Sequence, residues 1–247
     1  LEVAVIGAGV FGAWTARALK TAGASVALID AYGAGNARSS SGGESRVIRM
    51  SYGGDSIYSP MALQSLAEWA ALSARSGLPI LHRTGVLWFS PPGDAYMSKS
   101  LEWLKRERRP HESLSTDDLA RAYPQIAFRP GEQGFLEIET GALIAGRGVQ
   151  TVVRDAGLNV VRLRADPPVR EADGTYRVGP DIRARSVIYA CGPWLPKIFP
   201  EVLAGRIIPT RQEVYHFGPA PGDDRFGPER LPVWADFNGG ALVYGFP

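Results

Sequence analysis

The chain has 247 residues and a formal net charge of +2, which is enough for one large or two modest domains around a sizeable core. The near-neutral charge gives no reason to expect a nucleic-acid partner or a membrane surface, and no apolar run has the length of a transmembrane helix. The single cysteine, Cys191, excludes an intramolecular disulfide and a metal–thiolate cluster. Because it also fits a reducing compartment, we expect a cytoplasmic protein.

The N-terminal residues alternate strand and helix patterns around a glycine-rich turn. A short apolar run at residues 3–6 is followed by the sequence GAGVFG at residues 7–12 and by helical spacing over residues 13–22. A second apolar run at residues 25–29 ends on Asp30. This order of strand, glycine turn, helix, strand and acid is typical of a unit that binds a dinucleotide.

Each glycine of the turn has a separate physical task in such a unit. Gly7 permits the tight turn, Gly9 lets the backbone approach a pyrophosphate, and Gly12 lets the helix pack close to the strand. The helix N-terminus offers N–H groups and a partial positive charge to the phosphates, while Asp30 can accept hydrogen bonds from a ribose diol. The alternative is a glycine-rich strand-to-helix turn without a ligand, and the pattern alone does not distinguish FAD from NAD.

The rest of the chain shows both helical and strand periodicity. The loop at residues 33–46 is rich in Gly, Ser and Ala, and it follows the second strand on the side where ligands of nucleotide folds gather. Helical spacing predicts helices over residues 60–75, 94–109, 115–123 and 144–156. Apolar runs predict strands over residues 84–90, 135–139, 158–163, 186–190, 213–217 and 241–244. A nucleotide unit interrupted by two mixed excursions predicts two domains woven from alternating segments.

Several further motifs follow the glycine turn in a fixed order. They are SSGGESRVIR at residues 40–49, followed by Tyr52-Gly53 and Tyr58, then TGVL at 84–87, ACGPW at 190–194 and YGFP at 244–247. Together they resemble the sarcosine oxidase family of flavin-dependent amine and amino-acid oxidases, which includes sarcosine, N-methyltryptophan and pipecolate oxidases. The resemblance extends over the whole chain.

The resemblance implies an α/β fold in which a Rossmann-like FAD-binding domain is interwoven with an antiparallel-sheet substrate domain. We place the FAD-binding domain at residues 1–83 and 142–211, and an incomplete substrate domain at 84–141 and 212–247. In the family, an oxygen-activating lysine, a flavin-linking cysteine and a glycine-rich flavin-binding segment come after the Gly-Phe-Pro motif. We therefore expect the chain to be truncated at its C-terminus, and we expect Cys191 to be a small residue in a tight turn.

FAD is the cofactor that the resemblance implies, and the scattered histidines give no reason to expect a metal. The residues expected to hold its ADP half are Gly7, Gly9, Val10, Phe11, Gly12, Asp30 and Ala31. Those expected along the ribityl chain and the flavin are Ser40, Ser41, Gly42, Arg46, Val47, Gly192 and Trp194.

The resemblance also assigns a substrate site to three side chains. Arg49 matches an arginine that binds the substrate carboxylate, for which a planar and permanently charged fork is suited. Tyr244 matches a tyrosine whose hydroxyl approaches that carboxylate, and Arg46 matches an arginine close to the flavin, where positive charge favours an anionic reduced ring. The alternatives are a surface ion pair for Arg49 and a strand aromatic packed in a sheet for Tyr244.

The activity implied is oxidation of the C–N bond of a small secondary or N-methyl amino acid to an imine, with O2 reduced to hydrogen peroxide. The expected partners are thus a small amino acid and molecular oxygen, and we expect a monomer. Met50 and Gly54 stand where the sarcosine oxidases have histidine and glutamate, so the resemblance does not extend to the sarcosine-specific pocket. The alternatives are a flavin dehydrogenase with another electron acceptor, a nicotinamide-dependent dehydrogenase, and an inactive FAD-binding fragment.

Overall fold

The computed structural model describes residues 1–238 and 241–247. The strands are β1 (Val3–Ile6), β2 (Val26–Asp30), β3 (Ser45–Ile48), β4 (Leu81–His82), β5 (Val86–Ser90), β6 (His111–Leu114), β7 (Gln133–Glu137), β8 (Gly141–Ile144), β9 (Val160–Arg162), β10 (Val169–Arg170), β11 (Tyr176–Val178), β12 (Ile182–Ala184), β13 (Ser186–Tyr189), β14 (Val233–Asn238) and β15 (Ala241–Gly245). The helices are α1 (Val10–Thr21), α2 (Tyr58–Ser76), α3 (Ala95–Arg106), α4 (Thr116–Ala122), α5 (Ala145–Asp155), α6 (Leu195–Ile198) and α7 (Pro200–Leu203), with a 3-10 turn at Gly192–Trp194.

These elements form two compact units. Unit 1 contains Leu1–Glu44 and Ile144–Val214, and unit 2 contains Ser45–Leu143 and Tyr215–Pro247. Each unit is therefore made of two separate stretches of chain, as the alternating segments of the sequence predict.

Unit 1 is built on a parallel sheet with the strand order β13-β1-β2-β9. Its central strands β1 and β2 are buried and consist of near-continuous apolar runs, which is typical of parallel strands covered on both faces. Helix α1 packs against both strands and against α5. A small antiparallel sheet, β10-β11-β12, adds Val178 and Ala184 to the core formed by Ala4, Ile6 and Ile29.

Unit 2 is built on a mixed sheet with the order β15-β14-β5-β7-β6. Strands β14 and β5 run parallel, and the other neighbouring strands are antiparallel. A second sheet has the order β3-β8-β4. A large core cluster lies between the five-stranded sheet and α3, and it includes Met50, Trp88, Phe135 and Trp103. The mixture of parallel and antiparallel sheets with helices confirms the predicted α/β class.

Two sequence expectations differ from these elements. The strand predicted over 213–217 is wrong: these residues are irregular, and Val214, Tyr215 and Phe217 are exposed, so no buried face selects a strand there. Residues 45–83 lie in unit 2, whereas we placed the domain boundary after residue 83. Their position follows from β3, which pairs in one sheet with β8 and β4, two strands of the same unit.

Candidate functional site

The glycine turn of unit 1 brings the backbone of two strands and one helix into very close contact. Gly7 has a φ of +101°, and its N–H donates to the Ile29 carbonyl at 2.7 Å. A Cβ on Gly7 would lie 2.5 Å from the Ala190 carbonyl oxygen, and a Cβ on Gly12 would lie 1.7 Å from the Gly7 oxygen. Both positions therefore require glycine, Gly7 for its conformation and Gly12 for the approach of α1 to the turn.

Asp30 braces this turn from the end of β2. Its Oδ2 accepts the Ala8 N–H at 2.8 Å, while Oδ1 accepts the N–H groups of Tyr32 at 2.7 Å and Gly33 at 2.9 Å. A carboxylate has about four acceptor positions, so Oδ2 keeps room for a further donor. The ribose contact expected of Asp30 stays a prediction.

The loop after β2 packs against the N-terminus of α1. Ser41 Oγ accepts the Val10 N–H at 2.9 Å, and a Cβ on Gly9 would lie 3.0 Å from the same oxygen. A Cβ on Gly42 would lie 1.8 Å from the Asn36 carbonyl oxygen, so the loop closes tightly on itself. Unit 1 thus brings the predicted ADP residues and the serine loop together at one helix N-terminus, which carries no acidic residue in its first turn.

The outer part of this region is open to solvent. Phe11 is 81% exposed, Ser40 is exposed, and Ala31 is half-buried. A helix N-terminus with nearby glycines suits an anionic phosphate because the helix dipole and the N–H donors act in the same direction. The first turn of α1 also carries no acidic side chain that would repel an anion, so this helix N-terminus fits the pyrophosphate of a dinucleotide.

Strand β13 carries Gly192 and Trp194 to the same edge of the parallel sheet. The Ala190 N–H donates to the Ile6 carbonyl at 2.7 Å, so the 3-10 turn follows directly beside the glycine turn. Trp194 is 42% exposed, and Lys197 Nζ lies 5.2 Å from its ring centroid. Burial, with a smaller contribution from Asp30, raises the pKa of Cys191 to about 11, so its thiol stays protonated near neutral pH and is unsuited to nucleophilic attack.

In unit 2, Arg49 lies directly after β3 in an aromatic setting. Its Cζ lies 4.5 Å from the Tyr52 ring centroid and 5.2 Å from that of Trp88. Its Nη1 donates to the Ser51 carbonyl at 2.8 Å and to the Tyr96 hydroxyl. Across residues 1–238 and 241–247, no carboxylate lies within ion-pair distance of the guanidinium. The ion pair considered as the alternative for Arg49 is therefore not found in the described part of the chain.

A buried carboxylate stands behind this arginine. Glu137 is fully buried, and it accepts the N–H groups of Met50 at 2.8 Å and Ser51 at 3.0 Å together with the indole N–H of Trp88 at 2.8 Å. Burial raises the pKa of Glu137, and the hydrogen bonds to its oxygens act in the opposite direction. Burial likewise raises the pKa of Tyr96, whereas Arg49 lowers it.

The other predicted residues of unit 2 lie on neighbouring strands. Tyr244 on β15 is half-buried, makes an edge contact with Phe246 at 6.0 Å between ring centroids, and packs against the large core cluster. Val47 packs against the same cluster, whereas Arg46 on β3 is exposed. The roles predicted for these side chains toward substrate and flavin stay predictions.

Sequence reasoning missed the side chains that surround Arg49. Trp88 and Glu137 lie within predicted strands, but neither was singled out, and Tyr96 was placed only in a helix. Glu137 carried a usable signal, because it shares the buried face of β7 with Phe135. A carboxylate in an apolar position of an alternating strand predicts a buried acid that needs hydrogen-bond donors.

The parallel sheet, the glycine turn and the acid at the end of β2 define an α/β protein of the dinucleotide-binding class. The chain belongs to the family described as FAD dependent oxidoreductase, whose model matches residues 2–247. Among the residues that the structure describes, no helix is both long and apolar enough to cross a membrane, and no group of histidine, cysteine or acidic residues is placed to hold a metal.

Two named oxidases are similar to this chain over its whole length. The chain is 27% identical over 260 residues to monomeric sarcosine oxidase from Streptomyces avermitilis, which covers 100% of the chain and 66% of that protein. It is 26% identical over 260 residues to N-methyl-L-tryptophan oxidase from Citrobacter koseri, with 100% of the chain and 67% of the relative covered. The chain thus spans about two thirds of the length of these relatives.

Solved structures agree on the fold. The open form of NikD, an unusual amino acid oxidase essential for nikkomycin biosynthesis, superposes with a TM-score of 0.71 at 21% sequence identity. The match covers 99% of this chain and 65% of that chain. At this identity the likeness establishes the fold alone, and it confirms the α/β fold class that the sequence predicts.

Proposed function

We propose that this chain is the part of an FAD-dependent oxidase that holds the ADP half of the cofactor in unit 1 and the carboxylate of a small amino acid at Arg49 in unit 2. The whole enzyme then oxidises the C–N bond of a secondary or N-methyl amino acid to an imine, and O2 is reduced to hydrogen peroxide. The relatives named as sarcosine oxidase and N-methyl-L-tryptophan oxidase support this class of substrate.

The observation that carries the proposal is the unpaired charge of Arg49. The guanidinium is half-buried beside Tyr52 and Trp88, and no carboxylate of the described residues neutralises it. An arginine in such a setting pairs strongly with an incoming carboxylate, since charge-assisted bonds gain strength where water is partly excluded. Carboxylate recognition of this kind favours an amino acid over a simple amine.

The cofactor fits the residues of unit 1. The N-terminus of α1 and the glycine turn would hold the pyrophosphate, and Asp30 would accept from the ribose. When bound, FAD supplies the two-electron oxidation and the return of the electrons to oxygen. The protein needs no nucleophile of its own: Arg49 holds the carboxylate, Tyr244 contributes a hydroxyl to it, and Arg46 supplies positive charge near the flavin.

The test uses the full-length protein that contains this chain. After gel filtration we expect a yellow flavin spectrum, bleaching of that spectrum by sarcosine or N-methyl-L-tryptophan without oxygen, and peroxide when air is admitted. Arg49→Met should lower kcat/KM by about 100-fold through loss of charged hydrogen bonds, whereas Arg121→Met, which removes an exposed arginine paired with Asp118, should not change it.

Four results would contradict parts of this proposal. No bleaching with any amino acid would overturn the oxidation itself. Bleaching without peroxide would identify a dehydrogenase with another electron acceptor. We also propose that the enzyme is a cytoplasmic monomer. A native mass above that of one chain would contradict the monomer, and enzyme found outside the cytoplasm would contradict the location.

A further inference from the structure

Glu137 is an unusual strand residue because its carboxylate is fully buried. A fully buried carboxylate loses the hydration of its charge, which costs several kcal/mol unless donors replace the water. Here the donors are specific: Oε2 accepts from Met50 N–H, and Oε1 accepts from both Ser51 N–H and Trp88 Nε1. The carboxylate therefore ties the strand pair β5 and β7 to the segment that follows Arg49.

Both groups that Glu137 holds are in contact with, or adjacent to, Arg49. Met50 and Ser51 directly follow it in the chain, so fixing their N–H groups fixes the direction of the backbone at residue 49. The Trp88 ring lies 5.2 Å from the guanidinium carbon, so fixing the indole N–H also fixes one wall of the arginine site. Glu137 acts on Arg49 through these two routes without a hydrogen bond to the guanidinium.

Tyr96 completes the support from α3. Its hydroxyl donates to the Ser51 carbonyl at 2.7 Å and accepts from Arg49 Nη1, which also donates to that carbonyl. Its ring stacks on Phe237 with 4.5 Å between centroids, which limits rotation of the phenol. Ser51 is thus held by Glu137 at its N–H and by Tyr96 at its carbonyl, and the two contacts act on one segment.

We propose that Glu137 and Tyr96 are positioning residues that hold the Arg49 guanidinium in the orientation needed to bind the substrate carboxylate. The inference rests on the proposed function, because it assigns this support to the same arginine. The substrate carboxylate does not react, so its binding by Arg49 stabilises the ground state and the transition state equally. Loss of the support should therefore raise the dissociation constant of the substrate and leave the chemical step nearly unchanged.

The variants remove one support at a time from the full-length holoenzyme. Glu137→Gln keeps the shape but turns an amide NH2 toward a donor that the carboxylate accepted from, and Tyr96→Phe removes only the hydroxyl. Glu132→Gln is the matched control: Glu132 is also buried and also accepts three bonds, two from Arg129 and one from Asn238. It makes no bond to the Arg49 segment.

Flavin reduction without oxygen, followed in a stopped-flow instrument with sarcosine and with N-methyl-L-tryptophan, separates substrate binding from chemistry. We expect the apparent Kd to rise about tenfold in E137Q and about fivefold in Y96F, with the limiting reduction rate within threefold of wild type. E132Q should keep the wild-type Kd. In an Arg49→Met background, E137Q and Y96F should each change Kd by less than twofold, since they act through the arginine.

Each contrary result has a definite meaning. Wild-type Kd in both E137Q and Y96F overturns the inference, and so does an equal loss in E132Q or an undiminished loss in the Arg49→Met background. If E137Q does not fold, Y96F alone and in the Arg49→Met background decides by the same values. A wild-type enzyme whose flavin no amino acid reduces overturns the proposed function, and it is recognised before any variant is measured.

Discussion

The glycine turn of unit 1 and the Arg49 site of unit 2 are held together by different kinds of contact. The turn consists of backbone atoms in such close contact that a Cβ on Gly12 would lie 1.7 Å from a carbonyl oxygen. The Arg49 site consists of side chains held in place by hydrogen bonds, with Glu137 and Tyr96 as its supports. The turn is damaged by adding an atom, whereas the arginine site is damaged by removing a hydrogen-bond partner.

The largest effect is expected from the smallest addition, Gly12→Ala. In an exposed helix this change stabilises by up to about 1 kcal/mol, because alanine loses less conformational entropy than glycine. In α1 the added Cβ meets the Gly7 carbonyl, so we expect a loss of about 3 kcal/mol or more in the free energy of unfolding.

Denaturant unfolding and flavin content after gel filtration measure this loss. We expect Gly12→Ala to elute without flavin. Gly218→Ala is the control, because a Cβ there meets no atom within 4 Å. A Gly12→Ala protein as stable and as yellow as wild type would show that the turn relaxes, and the contrast between the two regions would then be wrong.

A smaller effect is expected in the loop, where two neighbouring glycines differ. A Cβ on Gly42 would lie 1.8 Å from the Asn36 carbonyl oxygen, whereas a Cβ on Gly43 would meet nothing within 4 Å. Because an exposed loop can shift more easily than a helix packed on a sheet, we expect Gly42→Ala to lower the free energy of unfolding by about 2 kcal/mol. The Kd of FAD, measured by titration of the apoprotein, should rise about tenfold in G42A and stay unchanged in G43A. Equal affinities in the two variants would contradict the tight closure of this loop.

The same contrast explains how much the sequence could predict. The dinucleotide unit is local: glycine spacing, the apolar runs of β1 and β2, and Asp30 lie close together in the chain, so pattern and geometry agree. The bounds of β1 are those predicted, while α1 begins at Val10 rather than at residue 13 because Gly9 already serves as its N-cap residue. Such local features are read directly from periodicity.

The support of Arg49 is not local, and no spacing rule reaches it. Glu137 is 87 positions from Met50, and Tyr96 is 47 positions from Arg49, so their contacts depend on how strands and helices assemble. The strand predicted over 213–217 failed for a related reason. Its apolar residues suit a strand, but a strand also needs a neighbour to pair with, and sequence propensity does not supply one.

The third effect is smaller, and it depends on pH. Burial raises the pKa of Glu137 in the folded protein above its ordinary value of about 4.3. At pH values between the ordinary pKa and the raised pKa of the folded protein, the folded state binds more protons than the unfolded state. The free energy of unfolding therefore falls as pH rises. Glu137→Gln lacks this titration. The stability of wild type minus that of E137Q should therefore decrease from pH 4.5 upward, by at most about 1.4 kcal/mol per pH unit.

Denaturant unfolding of both proteins at pH 4.5, 5.5, 6.5 and 7.5 measures that difference. Tyr96→Phe is the control, since it retains the carboxylate and its phenol does not ionise in this range; wild type minus Y96F should be constant with pH. A difference for E137Q that increases with pH would mean that the three donors outweigh burial and lower the pKa of the folded carboxyl. In that case the Glu137 carboxyl would be charged across the whole range and would hold the Arg49 segment through its hydrogen bonds. The cost of burying it would then no longer distinguish the two regions.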